Sequence, residues 1–319
     1  MKRIVAALFA ALFAASIACT GLAAEAPLQV HNVARDFVQF WDATQSMPAA
    51  ERVAQFKQVV GARFPDFYGI ARYHGARTQA EQDAAIGRAL DRFGALRPAY
   101  LATVATFDAD LPRYIASFQT AFPDFQPIPT YFLHSLSEMD GGTRDFPGGR
   151  VLIFGADMMA YLHSGEDEAP LFHHELFHVY HRLASITCPQ PGMWQPLWVE
   201  GLAVYASKML NPQATEREMT LDYPAGTLAQ VKARLPAAWR QMTAVLDDAD
   251  EALYDPLFST GKDATGLAPR RGYYLGYLVA QELGKTRDLH ALAALDCADA
   301  HRLVLETVQK LQRQSAPGP

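Results

Sequence analysis

Apolar residues recur at helical spacing soon after the N-terminal segment. Val33, Phe37, Phe40 and Trp41 follow one another at intervals of one, three or four positions, as residues on one face of an α-helix do. The stretch from Ala50 to Val60 continues this pattern. The pattern predicts a helical N-terminal region whose apolar faces pack against the rest of the protein.

A longer periodic segment runs from Gln79 to Phe107 and contains Pro98. Proline lacks the backbone N–H and clashes with the preceding helical turn. We therefore predict that Pro98 divides this segment into two helices.

The pattern changes character between residues 125 and 157. Thr130 to Leu133 and Arg150 to Phe154 are short runs of β-branched and aromatic residues, which are typical of strands. The turn-forming sequences Asp140 to Thr143 and Pro147 to Gly149 lie between them. These features predict a small antiparallel sheet, whose second strand runs toward the next helix.

Two further helices are predicted after the sheet. The first runs from Asp167 or Glu168 to Leu183, with Pro170 tolerated in its first turn. A Pro/Gly-rich break at residues 188–192 follows, and the second helix runs from Pro196 to Leu210. The reversal lets the two helices pack antiparallel. Gly201 and Ala203 are small enough to allow a close approach to the first helix.

The predicted fold class is α+β and mainly α. It comprises a helical N-terminal region over residues 24–125 and a region over residues 126–319 that holds the sheet, the helix after it and further helices. The two regions are either separate or one continuous domain.

Composition narrows the possible partners. The chain has 319 residues, 50% of them hydrophobic, and a net charge of −6. It shows no basic patch of the kind that phosphate binding requires, so we expect no nucleic-acid partner.

Residues 1–23 have the features of a signal peptide. Lys2 and Arg3 precede an apolar stretch from Ile4 to Ala18, and small residues follow near Ala23. We expect export to the periplasm or the extracellular space, with no transmembrane anchor. A lipid anchor at Cys19 is the alternative to simple secretion.

Four of the ten histidines fall within residues 173–181. Among them His174 and His178 enclose Glu175 in an HExxH motif. On a helix the two imidazoles lie one turn apart on the same face, where both can bind one Zn²⁺. Glu175 would then act as the general base toward a zinc-activated water.

A catalytic zinc site needs a third protein ligand. Glu200 lies 22 positions after His178, on an otherwise apolar helix. An unpaired carboxylate buried there would be costly unless a cation neutralised it. Glu200 is therefore the predicted third ligand.

With these residues in view, the chain resembles the gluzincin group of zinc metallopeptidases. The sequences HELFH at 174–178 and LWVEGLAVY at 197–205 are similar to those of predicted bacterial zinc-dependent proteases with an EGLAxY helix. The resemblance covers residues 151–283. It implies one Zn²⁺ per chain, bound by His174, His178 and Glu200, with Glu175 as base. One departure is Val204, where thermolysin-like enzymes carry aspartate.

Gluzincin-type enzymes often use a downstream residue to stabilise the oxyanion. Arg271, Tyr273 and Tyr274 are the candidates here. The alternative is an aromatic helix face packed in the core, with the arginine in solvent.

Several other residues have two interpretations. His181 is either a residue near the metal or a packed histidine at a helix end, and His173 is expected to point away from the metal. Asp157 either orients an imidazole ligand or belongs to a turn. Cys188 and Cys297 form a disulfide or remain separate thiols.

We therefore expect an exported zinc peptidase that hydrolyses peptide or protein substrates. Two alternatives stay open: a zinc hydrolase of a non-peptide substrate, and a non-catalytic periplasmic binding protein.

Overall fold

The computed structural model describes residues 28–315, so the predicted signal peptide and Cys19 lie outside the described part of the chain. Helices make up most of this part, in agreement with the predicted fold class. Their bounds are α1 Val33–Thr44, α2 Ala49–Val59, α3 Pro65–Tyr68, α4 Gln79–Ala121, α5 Ala156–Leu162, α6 Ala169–Tyr180, α7 Trp194–Leu210, α8 Thr227–Ala233, α9 Leu235–Val245, α10 Tyr254–Phe258, α11 Arg271–Leu283, α12 Leu289–Ala293 and α13 Cys297–Ser315.

The sheet has four strands, β1 Val30–Asn32, β2 Thr130–Leu133, β3 Gly141–Phe146 and β4 Gly149–Gly155, in the order β1-β2-β4-β3. It is mixed, not purely antiparallel as the sequence suggested. β1, β2 and β4 are parallel neighbours, and β3 pairs antiparallel with β4. The prediction missed β1, which is parallel to β2 because α1 to α4 form the crossover between them.

A tight hairpin joins the edge strand β3 to β4. Phe146 pairs with Gly149, so Pro147 and Gly148 form a two-residue turn between β3 and β4. Gly149 has a φ of 113°, a conformation that favours glycine. The hairpin places β3 at the end of the sheet, next to α6.

Helix α4 is continuous, so the predicted break at Pro98 is wrong. Its first turn is closed by a capping box between Thr78 and Glu81. Pro98 and Pro112 both lie on its exposed face. Water can bind the carbonyls left free there, and the buried face holds the helix in one piece.

Aromatic side chains join α4, the sheet and α6. Phe107 of α4 stacks on Phe132 of β2 with ring centroids 3.8 Å apart, and Phe172 of α6 packs against Phe154 of β4 at 4.7 Å. One hydrophobic cluster extends from Val33 to Val308. Within residues 28–315, the predicted N-terminal region (24–125) and the predicted region over residues 126–319 thus share a sheet and a core.

Helices α6 and α7 are antiparallel, as predicted from the reversal between them. Ser207 near the end of α7 donates a hydrogen bond of 2.8 Å to the Pro170 carbonyl at the start of α6. At the other end, Gln195 donates to the Leu183 carbonyl beyond α6 at 3.1 Å. The central residues of the two helices therefore face each other.

Gly201 performs a different role from the predicted one. A Cβ atom at Gly201 would lie 2.1 Å from the backbone of Gly276 in α11, and one at Gly276 would lie 2.2 Å from the Leu197 carbonyl. Gly201 thus allows α7 to approach α11, not the motif helix α6. This glycine contact fixes α11 beside Glu200.

A disulfide joins Cys188 and Cys297, whose Cα atoms are 5.7 Å apart. This resolves the alternative that the sequence left open. The bond ties the segment between α6 and α7 to the start of α13. Among residues 28–315, no helix combines the length and apolar character needed to cross a membrane.

Candidate metal centre

His174, His178 and Glu200 converge on one point between α6 and α7. The Nε2 atoms of the two histidines are 2.9 Å apart, and Oε2 of Glu200 lies 3.5 Å from His174 and 3.4 Å from His178. His174 and His178 are one turn apart on α6, and Glu200 lies at the middle of the antiparallel α7. The predicted ligand residues are therefore brought together by two helices.

The donor atoms fit a tetrahedral zinc ion. With ligand bonds of about 2.05 Å, the ligand atoms of such an ion are about 3.3 Å apart. The three observed separations, 2.9 to 3.5 Å, lie close to this value. Two imidazole nitrogens and one carboxylate oxygen are also a donor set that zinc commonly binds.

The ionisation of His174 and Glu200 suits a cation. At His178 the effect of burial is outweighed by the Glu200 carboxylate, which raises the pKa of this imidazole, so a metal bound there must displace a proton. Burial, followed by the nearby His178, lowers the pKa of His174, so this imidazole favours its neutral form. Burial alone would raise the pKa of Glu200, but His178 and the contacts with both imidazoles hold it well below its ordinary value. A neutral imidazole and a carboxylate are the forms that bind metal.

Glu175 lies on the inner side of α6, with only 5% of its surface exposed. Burial raises the pKa of its carboxyl to about 8. Its Oε2 atom has no hydrogen-bond partner within residues 28–315. A buried carboxyl group with an elevated pKa and a free oxygen is suited to exchanging a proton with a reactant.

Gly141 at the start of β3 makes room for this carboxyl group. A Cβ atom there would lie 2.5 Å from Cγ and 2.6 Å from Cδ of Glu175. The edge strand is therefore in direct contact with Glu175. No sequence pattern indicated this contact, because Gly141 appeared only as a turn residue.

The cluster and Glu175 line one cavity of about 550 Å³, a size typical of sites for small ligands or short peptide segments. Edge strand β3 contributes Gly141 to Arg144 to its wall, and α7, α10 and α11 contribute the other side. The cavity thus gives a ligand access to the cluster of His174, His178 and Glu200 and to edge strand β3, which pairs on one side only within residues 28–315.

Of the three predicted oxyanion donors, only Tyr273 lines the cavity. Its ring centroid is 6.5 Å from that of His174. Burial and then the Glu200 carboxylate raise the pKa of its hydroxyl well above 10. The phenol therefore stays protonated at neutral pH and can donate a hydrogen bond.

Arg271 and Tyr274 lie outside the cavity lining. Arg271 is 1% exposed and donates to Gln241 at 2.7 Å, to the carbonyls of Pro256 and Ala268 at 2.9 Å and to Asp263. These contacts join the start of α11 to α9, to α10 and to the loop before α11. Tyr274 packs in a small cluster with Val204, Met219, Leu221 and Leu228.

Several cavity residues were not predicted from the sequence, among them Arg270, Tyr254 and Asp140. Arg270 directly precedes the predicted Arg271, and adjacency alone could not show which of the two faces the site. Tyr254 of α10 lies in no recognisable motif. Asp140, which is hydrogen-bonded to His163 at 2.9 Å, appeared only as a turn residue.

The remaining histidines of the motif segment lie away from the metal cluster. His173 contacts Ser117 at 2.7 Å and Asn211 at 2.9 Å, as expected for a residue pointing away. His181 is fully buried at the end of α6, near Phe177 and Trp198. Of the two interpretations of His181, the structure therefore supports a packed histidine at a helix end.

The Asp157 carboxylate orders a loop and does not orient the imidazole of His174 or His178. Its carboxylate accepts hydrogen bonds from the backbone N–H groups of Ser135 at 2.6 Å and Ser137 at 2.7 Å. Leu136 and Ser137 in this loop have φ values of 59° and 67°. Asp157 thus compensates an unusual backbone between β2 and β3.

Comparisons with protein-family models, with curated proteins and with solved structures found no match for this chain.

Proposed function

We propose that this protein is an exported zinc-dependent peptidase. The observation that carries the proposal is the convergence of His174, His178 and Glu200 in one cavity with the buried carboxyl group of Glu175. Two imidazoles and a carboxylate supply three ligands and leave a fourth position for water or substrate, as catalytic zinc sites do.

A zinc ion held by these residues would supply a Lewis acid and lower the pKa of water in the site. In its ionised form Glu175 takes the proton from the attacking water through Oε2, which has no hydrogen-bond partner within residues 28–315. The same carboxyl group then delivers the proton to the leaving amine. Its burial against Gly141 keeps it in place for both steps.

Tyr273 is the donor that we assign to the developing oxyanion. Its hydroxyl is protonated at neutral pH, and its ring lies beside His174 in the cavity wall. Preorganised donors of this kind stabilise the charge that forms during acyl transfer. The free edge of β3 offers main-chain groups for an extended peptide, which favours peptides over other acyl compounds as substrates.

The test is hydrolysis of mixed peptides by zinc-loaded protein and its Glu175→Gln variant. Loss of the general base should lower turnover by about 10²- to 10⁴-fold, while zinc content stays the same. Ester and simple amide substrates assayed in parallel distinguish a non-peptide hydrolase. Undiminished turnover in the Gln variant, or binding function without any turnover in the wild type, would contradict the proposal.

A second pair of variants examines the oxyanion donor. Tyr273→Phe should lower kcat by about 10²-fold through loss of one hydrogen-bond donor. Tyr274→Phe is the matched control, because Tyr274 follows directly in α11 but packs outside the cavity. Equal effects of the two substitutions would remove Tyr273 from the mechanism.

A further inference from the structure

Three arginines line the metal cavity, and none of them forms an ion pair with a carboxylate of residues 28–315. Arg144 donates to the Thr143 carbonyl at 2.7 Å. Arg150 donates to the Thr143 hydroxyl at 3.0 Å and to the Ala184 carbonyl at 2.8 Å. The side chain of Arg270 has no hydrogen-bond partner in the described chain, and its Nε atom is buried without one.

The acidic residues of the cavity, in contrast, are already engaged. Glu138 accepts from Arg72 at 2.7 Å and from Arg77 at 3.2 Å. Asp140 is hydrogen-bonded to His163, and Glu218 accepts from the Thr215 backbone at 2.7 Å. The two other carboxyl groups, Glu175 and Glu200, belong to the metal centre. The three arginines therefore remain available to donate hydrogen bonds to an anionic ligand, because no carboxylate of residues 28–315 is paired with them.

Arg270 is held in an unusual way. Its guanidinium lies over the ring of Tyr273 at 4.3 Å and near that of Tyr223 at 5.6 Å. Its backbone has a φ of 56°, which is uncommon for a residue with a side chain. It also immediately precedes α11, where the helix dipole disfavours a positive charge. Two aromatic rings thus fix a charged fork that has no hydrogen-bond partner among residues 28–315.

An arginine fork binds carboxylates through two parallel hydrogen bonds, and a low-polarity setting strengthens them. The Tyr273 ring under Arg270 is also the ring beside His174. A carboxylate bound by Arg270 would therefore lie next to the bond cleaved at the metal centre.

We propose that the substrate carries a carboxylate close to the scissile bond, and that Arg270, assisted by Arg144 and Arg150, binds it. This inference rests on the proposed peptidase function for the nature of the substrate. The carboxylate is either the C-terminus of a short peptide or an Asp or Glu side chain within a longer one. Both offer the same two oxygens to the guanidinium fork.

The test is retention of peptides on zinc-loaded, immobilised Glu175→Gln protein, measured by mass spectrometry. Four hexapeptide mixtures are used. Each has either Glu or Gln at the same fixed sequence positions, and each has either a free or an amidated C-terminus. We expect at least one carboxylate form to be retained about tenfold or more over its amide counterpart. The Glu/Gln pair and the free/amidated pair separate the two sources of the carboxylate.

Variants then assign the selectivity to the arginines. Arg270→Gln should reduce the carboxylate-to-amide ratio to near one, and Arg270→Lys should restore it only in part, because lysine lacks the fork. Arg144→Gln and Arg150→Gln, which lie on the opposite wall, should reduce it less. Arg88→Gln, an exposed residue of α4 outside the cavity, is the control.

Equal retention of carboxylate and amide forms by the starting protein, including retention of neither, would overturn the proposal. A carboxylate-to-amide retention ratio that is unchanged in a folded Arg270→Gln variant would also overturn it. Retention does not require turnover, so a preference for carboxylates without any peptide cleavage would refute the peptidase function alone. If Arg270→Gln loses turnover on charged and neutral peptides alike, Arg270 is an oxyanion donor and not a carboxylate-binding residue. That result would also overturn the proposal.

Discussion

At the scale of single residues, the contact between Gly141 and Glu175 links the sheet edge to the proposed chemistry. The three atoms nearest to a Cβ placed at position 141 all belong to the Glu175 side chain. A side chain can move away from such a clash at small cost, but the carboxyl group would then leave its position.

Gly141→Ala should therefore impair activity much more than stability. We expect kcat/KM to fall by about 10²-fold, because a displacement near 1 Å has such an effect on a catalytic group. The free energy of unfolding should change by less than about 1 kcal/mol. Gly148→Ala is the control, since a Cβ there meets nothing within 4 Å. Intact activity in Gly141→Ala would separate Glu175 from the reaction.

His181 makes stability depend on pH. Burial, and then the charge of His178, lower the pKa of its imidazole to about 3, from about 6.5 in an unfolded chain. The unfolded state thus binds a proton that the folded state does not. Stability from this residue is complete above about pH 6.5 and decreases as the pH falls toward 3.

Urea unfolding at pH 7.5 and pH 5.0 measures this effect. The wild type should lose about 2 kcal/mol more than His181→Leu between these values. The variant buries no ring nitrogens, and those of His181 lack partners in residues 28–315. His290→Gln, at an exposed position, should retain the wild-type pH dependence. A pH dependence unchanged in His181→Leu would contradict the assignment.

Sequence reasoning identified the residues whose spacing is local and missed those whose role depends on distant contacts. His174, Glu175 and His178 lie within one helical turn of each other, and an isolated carboxylate on an apolar helix indicated Glu200. Gly141 and Arg270 reach the cavity through segments far apart in the chain. Their surroundings are set by tertiary packing, which a periodic pattern does not contain.

At the scale of secondary-structure elements, α11 is positioned by the crossing of Gly201 and Gly276. Each glycine occupies space that a Cβ atom on the other helix would need, and the opposing atoms belong to the backbone. Backbone atoms cannot rotate away as side chains do. The crossing thus holds Tyr273 and Arg270 at a fixed distance from Glu200.

Gly276→Ala should separate these helices. We expect a loss of about 3 kcal/mol in the free energy of unfolding, at the upper end for overpacked sites. Zinc affinity should fall as well, because Glu200 moves with α7. Thermal melting and zinc titration measure the two effects, with Gly87→Ala in α4, where a Cβ meets only Val53 at 3.9 Å, as control. Unchanged melting would show that the helices are not closely packed.

The sequence predicted fewer than half of the thirteen α-helices in residues 28–315, and not all of the partners of those it predicted. The spacing of apolar residues identified α1, α2, α6 and α7, because one face of each is buried. It assigned Gly201 to the wrong neighbour, since a small residue shows that a close approach is possible but not by which element. It also ended a helix at Pro98, whose exposed position was not apparent from the pattern.

At the scale of the whole molecule, the Cys188–Cys297 disulfide joins segments that are 109 residues apart. The loop it closes contains α7 and α11, which carry Glu200, Tyr273 and most of one cavity wall. Closing a long loop restricts the unfolded chain more than the folded one.

Removing the disulfide by Cys188→Ala with Cys297→Ala should lower the free energy of unfolding by about 4 kcal/mol. Adding a reductant to the wild type should have the same effect, whereas the double variant should not respond to it. Denaturant unfolding measures both. A wild type with two free thiols under oxidising conditions would contradict the bond.

The mixed sheet also joins parts of the chain that are far apart in sequence. β1 is only three residues long and precedes the helices of the N-terminal region, so it carried no strand signal. β1 pairs with β2, β2 pairs with β4, and β4 pairs with the edge strand β3 at the cavity. The sheet therefore connects residues 28–125 to the cavity. Such a nonlocal pairing cannot be read from the alternation of residues within one segment.

The proposed function depends above all on the binding of one zinc ion by His174, His178 and Glu200. The most direct test is the zinc content of the purified protein, measured by elemental mass spectrometry beside Glu200→Ala and Glu218→Ala variants. Glu218 lines the same cavity outside the cluster. We expect about one zinc per chain in the wild type and in Glu218→Ala, and much weaker binding in Glu200→Ala. A folded wild type that takes up no zinc when it is supplied, or a Glu200→Ala variant that binds it equally well, would refute the proposed zinc site.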